Sequence, residues 1–313
     1  AEADSTSENL AIYANGTDTF SIDNVSVKEL TEDVVVPYSG EGSLLLENQS
    51  TNLITYSEDF SGWALDDVTV ESDSDTSPDG NNKATLIKGN TNSSRHHIRK
   101  TLSGNVDGSY SIFAKAKELK YLQIASVNTT NQYVNFDLQD GLVGTVGSDF
   151  SNAKIEEIGN GWYRLSVTSD DRYNSFYISL VSGINAVWLE SWVMSNNTDG
   201  LYIWGAQVEA LSYATSYIPT NGSTVTRLAD VCNNSGNSDL INSTEGVLYA
   251  EISALANDGT VRYFGLNDSS NNNRAVFLFD STANRVRAIV SSGGTKYVDF
   301  NYTVTDLTEF HKI

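Results

Sequence analysis

The chain has 313 residues, 39% apolar and 10% aromatic, and its 40 acidic against 19 basic side chains give a formal net charge of −21. That much apolar surface builds β-sandwich cores and excludes a disordered chain. The negative charge repels phosphate backbones and anionic lipid, so nucleic acid and membrane insertion are not expected among its partners. Cys232 is the single cysteine, which rules out an intrachain disulfide, and no apolar run reaches the roughly 18 residues of a transmembrane helix.

Asn, Ser, Thr, Asp and Gly fill the gaps between short apolar runs, and helix-period segments are missing, so the expected class is all-β: antiparallel jelly-roll sandwich modules in tandem. Residues 1–42 read as the terminal strands of a preceding β-module plus a linker. There Leu10, Ile12 and Ala14 alternate, Asn15-Gly16 signals a hairpin turn, and Phe20–Lys28 returns. Residues 43–220 read as one domain, with strands expected at Leu44–Glu47, Val68–Glu71, Ala84–Lys88, His97–Leu102, Tyr110–Ala114, Tyr121–Val127, Tyr133–Leu138, Trp162–Thr168, Phe176–Val181, Val187–Val193 and Leu201–Glu209. Alternation places Val134, Phe136, Leu138, Tyr163, Leu165 and Val167 in its core. Residues 221–245 are poor in apolar side chains and read as a linker. Residues 246–313 read as a partial sandwich with strands at Val247–Ile252, Val261–Leu266, Arg274–Phe279, Arg285–Val290 and Lys296–Tyr302. The spare hairpin at the start and the unfinished sandwich at the end suggest that both ends are cut within larger architecture.

One pattern is written twice. Asp18–Leu30 reads DTFSIDNVSVKEL and Asp199–Leu211 reads DGLYIWGAQVEAL, sharing Asp18/Asp199, Ile22/Ile203, Val27/Val208 and Leu30/Leu211. In the second copy Leu201 and Ile203 are followed by Ala206 and Val208, an apolar step of three that would flip the buried face of a regular strand. One extra residue in a bulge restores the face, so a bulged strand is expected in both copies. The abundant N-x-S/T triplets follow from the Asn, Ser and Thr content, and a glycan on Asn24 would sit on a packed strand.

Nothing in the residue pattern is catalytic. Glu156-Glu157 and Asp170-Asp171 are adjacent pairs, which would point to opposite faces of a strand and read as solvated loop charges. His96-His97 beside Arg95 is a poor metal pair, and Cys232 has no evident base near it. For binding, the candidate is an aromatic and amide-bearing sheet face. If three strands share a sheet, Tyr121, Gln123, Tyr133, Asn135, Trp162 and Arg164 present one sugar-contacting surface.

The run Thr51-Asn52-Leu53-Ile54-Thr55-Tyr56-Ser57-Glu58-Asp59-Phe60-Ser61-Gly62-Trp63 and the run from Gly200 to Cys232, GLYIWGAQVEALSYATSYIPTNGSTVTRLADVC, resemble the opening and closing of modules in bacteriophage tail-fibre and other virion proteins. These modules are similar to the carbohydrate-binding jelly rolls attached to xylanases. Ile22–Val27 looks like the last strand of another such module, and EGVLYAEISALANDGTVRYFGL resembles the first half of a laminin-G or concanavalin-like domain. The resemblance implies a non-enzymatic, β-rich appendage, on a virion or extracellular, that contacts a polysaccharide or host-surface glycan and associates with itself or other fibre proteins. Related jelly rolls often carry a structural calcium, for which Glu47, Glu58 and Asp199 are the candidate ligands. Two alternatives stand beside it: the binding-module region of a secreted polysaccharide-degrading enzyme, and the subunit of an extracellular filament assembled by strand exchange.

Overall fold

The computed structural model describes residues 45–126, 130–230 and 246–313. The N-terminal hairpin, the first copy of the repeated strand and Cys232 lie outside the described residues. Within them every regular element is a strand and all pairings are antiparallel. The first unit contains β1 (Ser50–Asn52), β2 (Ala64–Asp66), β3 (Val68–Asp75), β4 (Ala84–Gly89), β5 (Ser94–Ala116), β6 (Tyr121–Ala125) and β7 (Tyr133–Asp137). It continues with β8 (Leu142–Val146), β9 (Phe150–Gly159), β10 (Trp162–Leu180), β11 (Ser191–Trp192), β12 (Gly200–Glu209) and β13 (Val225–Arg227).

Two strands organise this unit. The expected strands at His97–Leu102 and Tyr110–Ala114 fuse into β5, and those at Trp162–Thr168 and Phe176–Val181 fuse into β10. Register shifts near Ser169 and Tyr173 bend the β5–β10 ribbon, so each long strand contributes to both layers of a sandwich, as corner strands do. One layer runs β3-β4-β12 and then the second half of β5, the first half of β10, and β9. The other contains β2, the first half of β5, the second half of β10, β6, β7 and β8. The core lies between them: Tyr110, Ile112, Leu165, Val167, Ile203 and Val208 from the first layer meet Ile98, Phe176, Ile178, Leu122, Ile124 and Phe136 from the second in one apolar cluster. Val134, Phe136, Leu138, Leu165 and Val167 are buried as alternation requires, and Tyr163 packs against the cluster from a half-buried position.

The second copy of the repeated strand is β12, and it carries the expected bulge. Its pairing with β5 slips between Trp204 and Gln207, where Gly205 takes a φ of +65°. Leu201, Ile203, Ala206 and Val208 therefore all face the core. The backbone groups freed there are met by the opening segment. Asn52 Nδ2 donates to Ala206 O at 3.1 Å and Ile218 O at 2.9 Å, Val208 N donates to Asn52 Oδ1 at 3.2 Å, and Ala206 N donates to Ser57 O at 2.8 Å. The opening and closing runs are thus one structural joint.

That joint extends beyond Thr220. Tyr56 bridges Asn221, β13 pairs with β1, and Asp230 N donates to Glu47 O at 2.9 Å. Residues 221–230 of the stretch expected to be a linker thus pack onto the opening segment of the first unit. Polar composition suggested a linker because β13 pairs at an exposed edge. The expected strand at Leu44–Glu47 is irregular over its described residues, and Val187–Val193 shrinks to the two residues of β11.

The second unit has β14 (Glu251–Ile252), β15 (Arg262–Asn267), β16 (Arg274–Phe279), β17 (Arg285–Ser292), β18 (Thr295–Thr303) and β19 (His311–Lys312). The middle four form a meander, and β14 pairs with β19. Cross-strand register puts Phe264, Leu266, Phe277, Val290, Val298, Phe300 and Tyr302 on one face of the meander. The end of that face near Phe279 and Val286 is covered by Ala254, Val304 and Leu307, while Phe264, Leu266, Val290, Val298, Phe300 and Tyr302 are exposed.

Candidate functional site

The six residues expected to share a binding face lie on opposite outsides of the sandwich. Trp162 and Arg164 alternate with core-facing Leu165 on the outside of the first layer. They are covered by the segment after β12. Trp162 is buried with Phe113 and Trp204, and its Nε1 donates to Thr76 O at 3.1 Å. Arg164 is half-buried over the Phe113 ring, 5.5 Å from its centroid, and its Nη2 donates to the carbonyl of Thr215. Strand alternation assigned the correct side of β10, but the bend between its halves turns that side away from β6 and β7.

Tyr121, Gln123, Tyr133 and Asn135 are on the outside of the second layer, and the two amides are not free. A loop, residues 182–190, lies across them. Gln123 Nε2 donates to Val187 O at 3.0 Å, Leu189 N donates to Gln123 Oε1 at 2.8 Å, and Asn135 Nδ2 donates to Ala186 O at 2.7 Å. A 2.7 Å bond from Gln123 Nε2 to Asn135 Oδ1 joins the pair, and both side chains are fully buried. Buried amides require such partners, so these two hold the loop. Tyr133 packs beneath the loop with Ala125, Tyr177, Trp188 and Leu189. Tyr121 is half-buried, with Lys120 Nζ 4.9 Å from its ring centroid.

The same outer face continues onto β10 and β5, and there it is open. Register aligns Gln123 with Ser179 and Ala125 with Tyr177, then Ser179 with His97 and Tyr177 with Arg99, then Arg99 with Ala64 and His97 with Asp66. Between β2 and the loop is a cleft of about 310 Å³ lined by Asp66, Arg95, His97, Arg99, Tyr177 and Trp188, with Ala64, Leu65 and Leu189. Arg95, His97 and Arg99 face it because they alternate along β5.

Each polar group in the cleft has a defined setting. The Arg95 guanidinium lies 4.9 Å from the Trp188 ring centroid, and that of Arg99 lies 5.9 Å from the Tyr177 centroid. Arg99 Nη1 also donates to the Tyr177 hydroxyl at 3.1 Å. Trp188 is fixed by its Nε1 donating to Ser126 O at 3.1 Å. His97 stacks at a tilt on Tyr177, centroids 5.0 Å apart, and its Nε2 is 3.7 Å from Asp66 Oδ2. Burial pushes the imidazole down to about 4, against the pull of Asp66, so the ring is neutral at pH 7. Its Nδ1 is buried without a hydrogen-bond partner.

A broader groove of about 1530 Å³ runs between the segment after β12 and the second unit, past Arg164, Tyr213, Asp258 and Arg262. Three of its polar groups pair with one another: Ser212 Oγ donates to Asp258 Oδ2 at 2.7 Å and Arg262 Nη1 to Asp258 Oδ1 at 3.0 Å. The smaller cleft, where the exposed Arg95 and Arg99 border one space with Trp188 and Tyr177, is the better candidate for a ligand.

Among the described residues no group of three or more His, Cys, Asp or Glu side chains could hold a metal ion. The acids expected to ligate calcium are separated by their own partners. Glu47 Oε1 accepts from Ser216 N at 2.7 Å and Glu47 Oε2 lies 3.2 Å from Arg227. Glu58 pairs with Lys83 at 3.0 Å. Asp199 belongs to a turn in which its backbone N donates to Asn196 Oδ1 at 2.9 Å. Arg95-x-His97-x-Arg99 was legible as an alternating outward face, but His96-His97 was weighed only as a metal pair and set aside as a poor one. His96 is in fact fully buried, with its ring nitrogens 3.0 Å from Asp67 O and 3.2 Å from Trp192 O.

In comparison with known proteins, no family model and no curated protein matches the chain.

Proposed function

We propose that this chain is a glycan-recognising, non-enzymatic part of a displayed appendage, tail-fibre-like on a virion or extracellular, and that its first unit is a jelly-roll-like binding module. The observation that carries the reading is the cleft beside β2. It offers Trp188 with its ring held in place and exposed cationic forks at Arg95 and Arg99, the combination of apolar face and planar polar groups that suits sugar rings and hydroxyls. One carboxylate, Asp66, lines it, whereas glycoside hydrolysis uses a pair, which favours binding over cleavage. The test is a glycan array probed with the full chain and with a Trp188→Ala variant. Enrichment of a glycan class that W188A loses is the expected result; an array with no enriched class refutes glycan recognition.

A second reading, assembly of the chain with its own copies, draws on the meander of the second unit. Phe300 is 58% and Tyr302 60% exposed on one continuous apolar face, beyond the scattered apolar residues of an ordinary surface. Sedimentation of wild type against Phe300→Lys tests it. A wild type that stays monomeric over the concentration range refutes it.

A further inference from the structure

The geometry points to an acidic oligosaccharide as the ligand of the cleft, with carboxylates on more than one sugar unit received by Arg95 and Arg99. This rests on the glycan-binding reading above and narrows it to a chemical class.

Charge supplies the first support. In a chain with a net charge of −21, most described cations have a carboxylate within ion-pair distance, among them Lys83, Lys88, Lys115, Lys120, Arg227 and Arg262. Among the described residues no carboxylate lies within ion-pair distance of Arg95 or Arg99, although both are exposed. Each guanidinium is instead held near an aromatic ring, which limits the side-chain entropy lost when it meets an anion. A planar fork with free N–H groups matches a carboxylate bidentately.

The second support is His97, between the two arginines. It is 6% exposed, lines the cleft, and its Nδ1 has no partner within the protein. That atom is sealed from solvent, so the ring offers a ligand a packing surface between the two forks and not a free acceptor.

Spacing gives the size. Arg95 and Arg99 are four residues apart on one strand, about 13 Å between Cα positions. That span exceeds one sugar ring, so a single uronic acid can satisfy one arginine and only an oligomer can satisfy both. Asp66, beside His97 and 57% exposed, repels an acidic group at the middle of the cleft, so an oligomer with carboxylates only toward its ends should bind tighter than one charged on every unit.

The experiment is calorimetric titration of the full chain with oligogalacturonate, oligoguluronate and a disialylated oligosaccharide, each beside its carboxyl-reduced counterpart, with a sulfated oligosaccharide and monomeric galacturonate as comparators. At least one carboxylated oligomer is expected to bind, with its reduced form roughly ten- to a hundredfold weaker and the monomer weaker again. Arg95→Ala and Arg99→Ala should each lose a similar factor, and Arg95→Lys should recover only part, since it keeps charge without the fork. Unchanged melting temperatures would show that these exposed substitutions leave the fold intact. Equal binding of native and reduced oligomers, preference for the sulfated comparator, or indifference to R95A and R99A would overturn the acidic class while glycan binding itself stood. Failure of every probe here, together with an array that enriches only neutral glycans, would also overturn it; an array that enriches nothing would instead remove the reading beneath it.

Discussion

The bulge in β12 can be tested with three glycines that separate backbone conformation from crowding. Gly205 has φ +65°, and a Cβ built there would lie 2.8 Å from Phe113 Cδ2 and 3.2 Å from Tyr217 Cε2. Gly161 has φ +78° but its nearest neighbours are Lys115 carbons at 3.9 Å. Gly104 has an ordinary φ and nothing within 4 Å. An L side chain in the left-handed region costs about 1–2 kcal/mol, and forcing an added carbon into a packed site costs about 1–3 kcal/mol more. Gly205→Ala is therefore expected to lose roughly 2–5 kcal/mol, Gly161→Ala about 1–2 kcal/mol, and Gly104→Ala to stay within about 0.5 kcal/mol of wild type. For a unit of this size each 1 kcal/mol moves Tm by about 2–4 °C, so G205A should melt on the order of 10 °C lower. Thermal melts followed by near-UV circular dichroism, which reports Phe113, Trp162 and Trp204 in their shared cluster, give the ranking. If G205A melted with G161A, the Phe113 contact would carry no weight. If it melted with wild type, a left-handed Gly205 would not be what sets the bulge.

Three further outcomes follow from buried polar groups. Because the His97 imidazole is held at about 4 against an ordinary 6.5, the unfolded state binds the extra proton between these values. Stability contributed by the neutral ring is therefore present above pH 6.5 and lost as pH falls toward 4. Urea unfolding should show about 2 kcal/mol lost between pH 7 and 5 on this account, and His97→Gln should flatten the slope; parallel slopes in both proteins would contradict it. Gln123→Ala strips the loop of its contacts at Val187 O and Leu189 N and should cost about 1–3 kcal/mol, with hydrogen exchange accelerated over residues 182–190 and unchanged in β12. Glu209 accepts from Ser50 Oγ at 2.7 Å and Thr215 N at 2.9 Å while fully buried. Glu209→Ala should cost about 3 kcal/mol by leaving those donors unmet, and Glu209→Gln distinctly less; equal losses would mean that the acceptor atoms are not what matters.

Periodicity made the inner faces legible. The apolar step of three in Leu201–Val208 announced a bulge, and the structure puts it there, because burial leaves a strand only that way to keep one face inward. The same reading missed β9, whose Glu156-Glu157 pair was read as loop charges. As an edge strand on β10, β9 keeps such charges at little cost. Its turn into β10 is Asn160-Gly161, both with positive φ, the dipeptide that marks tight hairpins; a charge pattern hid a strand whose turn was plainly written. The outer faces were not legible. Alternation says that Gln123 and Arg164 point away from the core, but not that a loop some 60 residues later, or a segment some 50 later, will lie on them.

Those coverings explain why the cleft is where it is. Each layer of the sandwich is roofed by a loop held through side chains that bind its backbone. On the first layer Gln207 donates to Thr215 O at 3.2 Å and accepts from Ile218 N at 2.7 Å, beside Arg164 and Glu209. On the second layer Gln123 and Asn135 do the same for residues 186–189. The second roof does not reach the sheet edge. After Leu189 it drops to the sheet as β11, pairing Ser191 with Arg95 and Trp192 with Ser94, while β2 covers β5 only opposite His97, Ile98 and Arg99. The space between roof and β2 is what remains of the outer face, and β5 supplies its floor. The residues that alternate outward on β5 at that point are Arg95, His97 and Arg99. On the outer faces Gln123, Asn135 and Gln207 are consumed in holding a roof. At the cleft the roof touches the Arg95 guanidinium through the Trp188 ring, and both arginines stay exposed.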